Sequence, residues 1–187
     1  MKIENGISKF KDWLRLVTVL FCLSSLTACA RVDDMLFSKS MDLDGDKNPE
    51  QISLIFSDKD EIGNCRASLE VVSKNKSFSE YLGDWFYPDF TRLDILTIGQ
   101  NIKPFIVVDS AGGAHSESRR VYSFKGNEII EVLSTYSDAP SITEVDLDND
   151  GTKEIVCKMR NYDKDPIADS YEKIYKWNGE RFAEIKR

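Results

Sequence analysis

The chain has 187 residues, with 25 Lys and Arg against 32 Asp and Glu, for a formal net charge of −7. A surface of that sign excludes a nucleic-acid binder working through clustered basic contacts to phosphates, and suits a cation or a basic partner better.

Residues 1–28 have the layout of a signal peptide. Lys2, Lys9, Lys11 and Arg15 precede the apolar run Leu16-Val17-Thr18-Val19-Leu20-Phe21-Cys22-Leu23. That run is shorter than the roughly 20 apolar residues a spanning helix needs. Leu26-Thr27-Ala28-Cys29 follows and resembles the lipobox of bacterial lipoproteins. The resemblance implies cleavage before Cys29, a diacylglycerol thioether on its sulfur and acylation of its amine. Ala30 stands where lipoproteins retained in the inner membrane tend to carry Asp, which favours the outer membrane if the cell is Gram-negative. The expectation is a lipid-anchored protein of the bacterial cell envelope: signal peptide 1–28, lipidated N-terminus and tether 29–39, folded domain 40–187. Four basic and two acidic side chains leave with residues 1–28, which takes the net charge from −7 to −9. The 159 residues that remain suit one domain with its own core.

Within the domain, short β-prone runs recur: Gln51–Phe56, Ala67–Val72, Phe105–Val108, Arg120–Phe124, Ile129–Leu133, Ile155–Cys157, Lys173–Trp177 and Phe182–Ile185. Most alternate apolar with polar residues and end at Gly, Asn, Asp or Pro. Ser79–Leu82 offers one helical turn at most, so the class is all-β. Cys65 and Cys157 remain after processing, as either one disulfide or two buried thiols.

An internal repeat organises these runs. Residues 121–132 and 174–185 share Tyr-x-aromatic-x-Gly-x-x-x-x-Glu-aliphatic, where Gly follows the aromatic by two residues in both segments. The pattern reads as a hairpin, with Tyr and the aromatic on one strand face and Gly in the turn. Each hairpin follows an apolar strand, and a degenerate hairpin at Leu69–Leu82 completes a first unit. Three β-meander units result, beginning near Met41, Leu93 and Ile142.

Two acidic segments carry the chemistry. Asp42, Asp44, Asp46, Asn48 and Glu50 form one set; Asp146, Asp148, Asp150, Thr152 and Glu154 form the other. Both place carboxylates at offsets 0, 2, 4 and 8, and offset 6 can add a backbone carbonyl. Alternate carboxylates in a tight loop can converge on a hard cation, and calcium takes six to eight oxygens. An EF-hand is excluded, because its closing acid falls at offset 11, where Ser53 and Cys157 stand, and because apolar strands follow directly.

The loops resemble the FG-GAP and VCBS-type repeats of integrin-like β-propeller blades, whose calcium loop reads Asp-x-Asp-x-Asp-Gly-x-x-Asp/Glu before an apolar strand. The match is complete at Asp146–Val156, while at Asp42–Ile55 Lys47 replaces the Gly. The middle unit, aligned at Asp94-Ile95-Leu96-Thr97-Ile98-Gly99, has lost the set of carboxylates. The resemblance implies a propeller-blade-like stack of four-stranded units and a structural calcium ion.

Trp85-Phe86-Tyr87 reads as either blade packing or a ligand contact, and Arg119-Arg120 as a solvated strand edge. His115 and Ser116 lack the elbow of a Ser hydrolase. The expected function is a membrane-tethered, non-catalytic module for an unidentified protein or glycan, with no nucleic-acid partner. The alternative is a carbohydrate-binding or hydrolytic envelope protein using Trp85 with nearby Asp84 and Asp89.

Overall fold

A computed structural model of the chain describes residues 35–111, 116–138, 142–160 and 170–186. Cys29 and the signal segment lie outside these residues, as does His115.

The described residues form twelve strands in three antiparallel four-stranded meanders. Sheet 1 contains β1 (Met35–Met41), β2 (Glu50–Ser57), β3 (Cys65–Ser73) and β4 (Lys76–Phe86). Sheet 2 contains β5 (Thr91–Leu96), β6 (Phe105–Ala111), β7 (Glu117–Lys125) and β8 (Glu128–Ser137). Sheet 3 contains β9 (Ile142–Val145), β10 (Glu154–Arg160), β11 (Ser170–Trp177) and β12 (Phe182–Ile185). Each sheet is laid down in chain order, as in a propeller blade.

Three sequence expectations shift. The first strand starts at Met35, inside the segment read as a tether. Ser79–Leu82 lies within β4, and among the described residues the single helical turn sits at Pro88–Phe90, where Pro fixes the backbone for it. Asp94 belongs to strand β5 and pairs with Lys39, so the middle loop runs from Thr97 to Pro104.

Two apolar clusters hold the stack together. The first joins Ile52, Leu54, Phe56, Leu69 and Val71 of sheet 1 to Leu93, Ile106, Val108, Tyr122 and Phe124 of sheet 2. The second joins Leu96, Phe105, Val107 and Val121 of sheet 2 to Ile142, Ile155, Cys157 and Phe182 of sheet 3. Successive strand residues point to opposite faces. Phe105, Ile106, Val107 and Val108 are therefore all buried, because sheet 2 is covered on both sides.

The repeated hairpins obey one geometry. Tyr122 and Phe124 face the preceding sheet 1, and Tyr175 and Trp177 face the preceding sheet 2. Phe78 meets Phe124 across the first interface at 5.5 Å between ring centroids. Phe105 stands 4.8 Å from Trp177 and 5.4 Å from Phe182 across the second, in edge-on contacts. The β3–β4 turn needs no Gly, because Lys74 and Asn75 adopt positive φ of 49° and 64°. The β7–β8 turn does the same with Gly126 and Asn127, as two-residue hairpins prefer.

Cys65 and Cys157 are both free and both buried. Cys65 lies in the first cluster and Cys157 in the second, with sheet 2 between them. Of the two alternatives the structure has the pair of buried thiols, and each fills core space as a small apolar group.

Candidate metal centre

The two acidic loops occupy the same place in their sheets. One links β1 to β2 and the other links β9 to β10, each spanning eight residues up to the closing Glu. The middle loop has that length too, but Thr97, Gly99, Asn101 and Phe105 stand at the acidic positions. Phe105 packs on Trp177 and Phe182 where the other sheets have a carboxylate.

Backbone geometry explains why the loops form. In the third sheet, the Gly151 N–H donates to Asp146 Oδ2 at 3.0 Å and the Asp150 N–H to Asp148 Oδ1 at 3.3 Å. The Thr152 N–H donates to Asp150 Oδ1 at 2.8 Å, and the Leu147 N–H to Glu154 Oε2 at 2.8 Å. Asp side chains that accept from the backbone two residues on are turn builders in their own right. Gly151 has φ of 85°, as the motif requires. At the equivalent position Lys47 adopts φ of 72°, a left-handed conformation that a Cβ makes costly.

The structure brings Asp146, Asp148 and Glu154 together, with one oxygen of each within 4.8 Å of the others. Asp42, Asp44 and Glu50 converge in the same way in sheet 1. Two acidic triads could therefore hold a cation. Asp150 and Asp46 fall outside the triads and pair with lysines. Thr152 is bridged to Gly99 of the middle loop, and the Lys153 N–H donates to the Ile98 carbonyl at 2.7 Å. A Cβ on Gly99 would come within 3.0 Å of the Gly151 carbonyl oxygen, so the middle loop supports the third one at close range. Asn48 donates its N–H to Asp46 Oδ1 at 2.8 Å.

The two triads differ in what remains to be satisfied. In sheet 1, both Asp42 oxygens accept backbone N–H groups, from Gly45 and Lys47. Glu50 is 1% exposed, and its oxygens accept from the Leu43 N–H at 2.7 Å and the Ser73 hydroxyl at 2.9 Å. In sheet 3, Glu154 is also 1% exposed, and among the described residues its Oε1 has only the Lys176 ammonium beside it, at 3.2 Å, while the buried Asp146 Oδ1 accepts no hydrogen bond. A buried carboxylate oxygen without a well-formed hydrogen bond is costly.

Lysines stand beside both loops. Lys74 Nζ is 2.6 Å from Asp46 Oδ2 and 3.9 Å from Asp44 Oδ2. Its hydrogen bond, with that of the Asn48 N–H, holds the Asp46 carboxyl down to about 2. Lys103 donates to the Asp44 carbonyl. In sheet 3, Lys176 Nζ lies 2.5 Å from Asp148 Oδ2, 2.7 Å from Asp150 Oδ2 and 3.2 Å from Glu154 Oε1. Hydrogen bonds to Asp148, then Asp150, raise the Lys176 ammonium above the ordinary lysine range.

The other singled-out residues separate. Trp85 is 78% exposed, and Tyr87 is exposed too, whereas Phe86 is buried beneath Arg120. Asp84 pairs with Arg66 at 3.1 Å. Arg119 and Arg120 are not a solvated edge. Arg119 is 7% exposed and chelates Asp109 through 2.7 and 2.9 Å bonds, with Glu144 on its third nitrogen. Burial alone would lower its pKa, but the Asp109 hydrogen bonds and the two carboxylate charges raise it. Sequence reading missed this pair because two adjacent arginines look like a surface strand unless both faces of that strand are known to be covered.

Comparison of the chain with protein-family models, curated proteins and solved structures finds no match.

Proposed function

We propose that the chain is a lipid-anchored, non-catalytic interaction module of the bacterial cell envelope, with a calcium ion that stabilises its third sheet. The blade-like repeats are read as FG-GAP/VCBS-type units. One observation supports the metal reading above the others. Each carboxylate of the Asp146, Asp148 and Glu154 triad spends one oxygen on the loop backbone and leaves the other aimed away from it. A loop built that way is a cage for a hard cation, and all-oxygen ligands of flexible geometry suit calcium better than magnesium. In the triad of sheet 1 the oxygens of Asp42 and Glu50 already accept hydrogen bonds from the loop backbone and Ser73, which makes it the weaker candidate for an ion. The tether rests on Leu26-Thr27-Ala28-Cys29.

A carbohydrate-binding or hydrolytic reading draws on Trp85, whose 78% exposure leaves an indole free to stack on a ligand. Glycan and peptide arrays, run with the full chain in calcium and in chelator beside a broad hydrolase panel, separate the readings. The module reading expects retention without turnover. Turnover abolished by Asp84→Asn or Asp89→Asn contradicts it.

A further inference from the structure

We propose that Lys176 is a tethered counter-cation that competes with a divalent ion for the third-sheet loop, so that ion binding and release of this lysine are one event. The proposal rests on the calcium reading above and adds a control to the same site.

Three carboxylate oxygens remain once the loop has bonded its own backbone: Asp146 Oδ1, Asp148 Oδ2 and Glu154 Oε1. Lys176 stands against two of them, at 2.5 Å from Asp148 Oδ2 and 3.2 Å from Glu154 Oε1. Calcium ligands lie at about 2.3–2.6 Å from the ion. An ammonium and a dication on the same Asp148 oxygen would stand only about 4–5 Å apart and repel each other, so each disfavours the other. Glu154 is 1% exposed, and among the described residues the Lys176 ammonium at 3.2 Å is the one group beside its Oε1, so the charge of this buried carboxylate is balanced by the lysine.

The repeat supplies an internal comparison. Ile155 pairs with Tyr175, which places Lys176 opposite Glu154. Gln51 pairs with Val72, which places Ser73 opposite Glu50. The same cross-strand position thus holds a hydroxyl that donates to the closing Glu in sheet 1 and an ammonium in sheet 3. A hydroxyl completes the carboxylate permanently. An ammonium on a flexible four-carbon stem is held mainly by charge and can swing out to water when a stronger charge arrives.

Isothermal titration with calcium chloride tests this on the chelator-treated full chain, in the wild type, Lys176→Ser, Lys176→Gln and Lys74→Ser. Near-ultraviolet circular dichroism verifies that each variant is folded. Lys176→Ser places at that position the residue the fold already accepts in sheet 1, and Lys176→Gln retains most of the stem. Both are expected to bind calcium about tenfold or more tightly than the wild type, a change of one decade in Kd. Lys74→Ser is expected to leave that Kd unchanged, because Lys74 pairs with Asp44 and Asp46 of the other loop. Measurable binding with the same Kd in wild type and both Lys176 variants overturns the competition and leaves the calcium reading intact. No binding in any folded variant overturns both.

Discussion

Arg119 and Arg120 are neighbours on β7 and hold different sheets. Arg119 reaches Asp109 beside it and Glu144 on β9 of sheet 3. Arg120 donates to the Leu82 carbonyl on β4 of sheet 1 at 2.6 Å and lies 5.6 Å from the centroid of the Phe86 ring. Adjacent strand residues point to opposite faces, so one dipeptide ties the middle sheet to both its neighbours. Arg119→Ala leaves the buried Asp109 with the exposed Arg92 at 3.8 Å in place of two direct hydrogen bonds, and is expected to cost about 3–5 kcal/mol. Arg120→Ala loses a charged hydrogen bond and a ring contact, and is expected to cost about 1–3 kcal/mol. Urea unfolding of the two variants checks both values; equal and negligible costs would show that the arginines do not bind the sheets together.

Asp148→Ala should lower the melting temperature in millimolar calcium and change it little in chelator. Asp44→Ala should show a smaller dependence on calcium, since Glu50 and Asp42 are already satisfied by Ser73 and the loop backbone. Differential scanning calorimetry in the two buffers makes the comparison. A calcium-dependent loss at Asp44 as large as that at Asp148 would assign the ion to the wrong loop.

Much of this arrangement is legible in sequence, and the misses have physical causes. The carboxylate spacing identifies both acidic loops, and the missing Gly at Lys47 marks the loop in which a residue with a Cβ takes the left-handed position. The hairpin repeat gives the Tyr and aromatic faces, because a period of two leaves no freedom once one face is buried. The first strand of each sheet is less visible. Met35–Met41 and Ile142–Val145 are short or polar and have no long apolar run. The middle loop misleads by three residues, because Asp94 looks like a loop acid but sits on a strand opposite Val107 and pairs with Lys39. Lys176 and Ser73 cannot be recognised as partners of the closing Glu until strand register is known.

Cys65 and Cys157 lie in separate apolar clusters, so each should remain a thiol even in an oxidising compartment. Burial raises the pKa of both thiols and slows their reaction in the folded state. The peptides carrying Cys65 and Cys157 should each take one alkylating label after denaturation without reductant, and neither should label in the native protein. A cross-linked peptide pair in the unreduced digest would contradict the two separate thiols.

Cys29→Ala should move the chain from the membrane fraction to the soluble or uncleaved fraction and abolish incorporation of radiolabelled palmitate. The basis is Leu26-Thr27-Ala28-Cys29. Labelling that survives the substitution would remove the lipid anchor from the proposed function.

The calcium claim is tested most directly by the melting curve of the unaltered chain, recorded in chelator and across a calcium series. Calcium modules outside the cell bind at about 10⁻⁴ to 10⁻³ M. At ten times its dissociation constant a single ion adds about 1.4 kcal/mol to stability, which for a chain of this size is a rise of about 4 °C. The account predicts that rise, saturating over the millimolar range and reversed by chelator. Superimposable curves with and without calcium would contradict it, and would leave the Asp146, Asp148 and Glu154 triad as a turn neutralised by Lys176 alone.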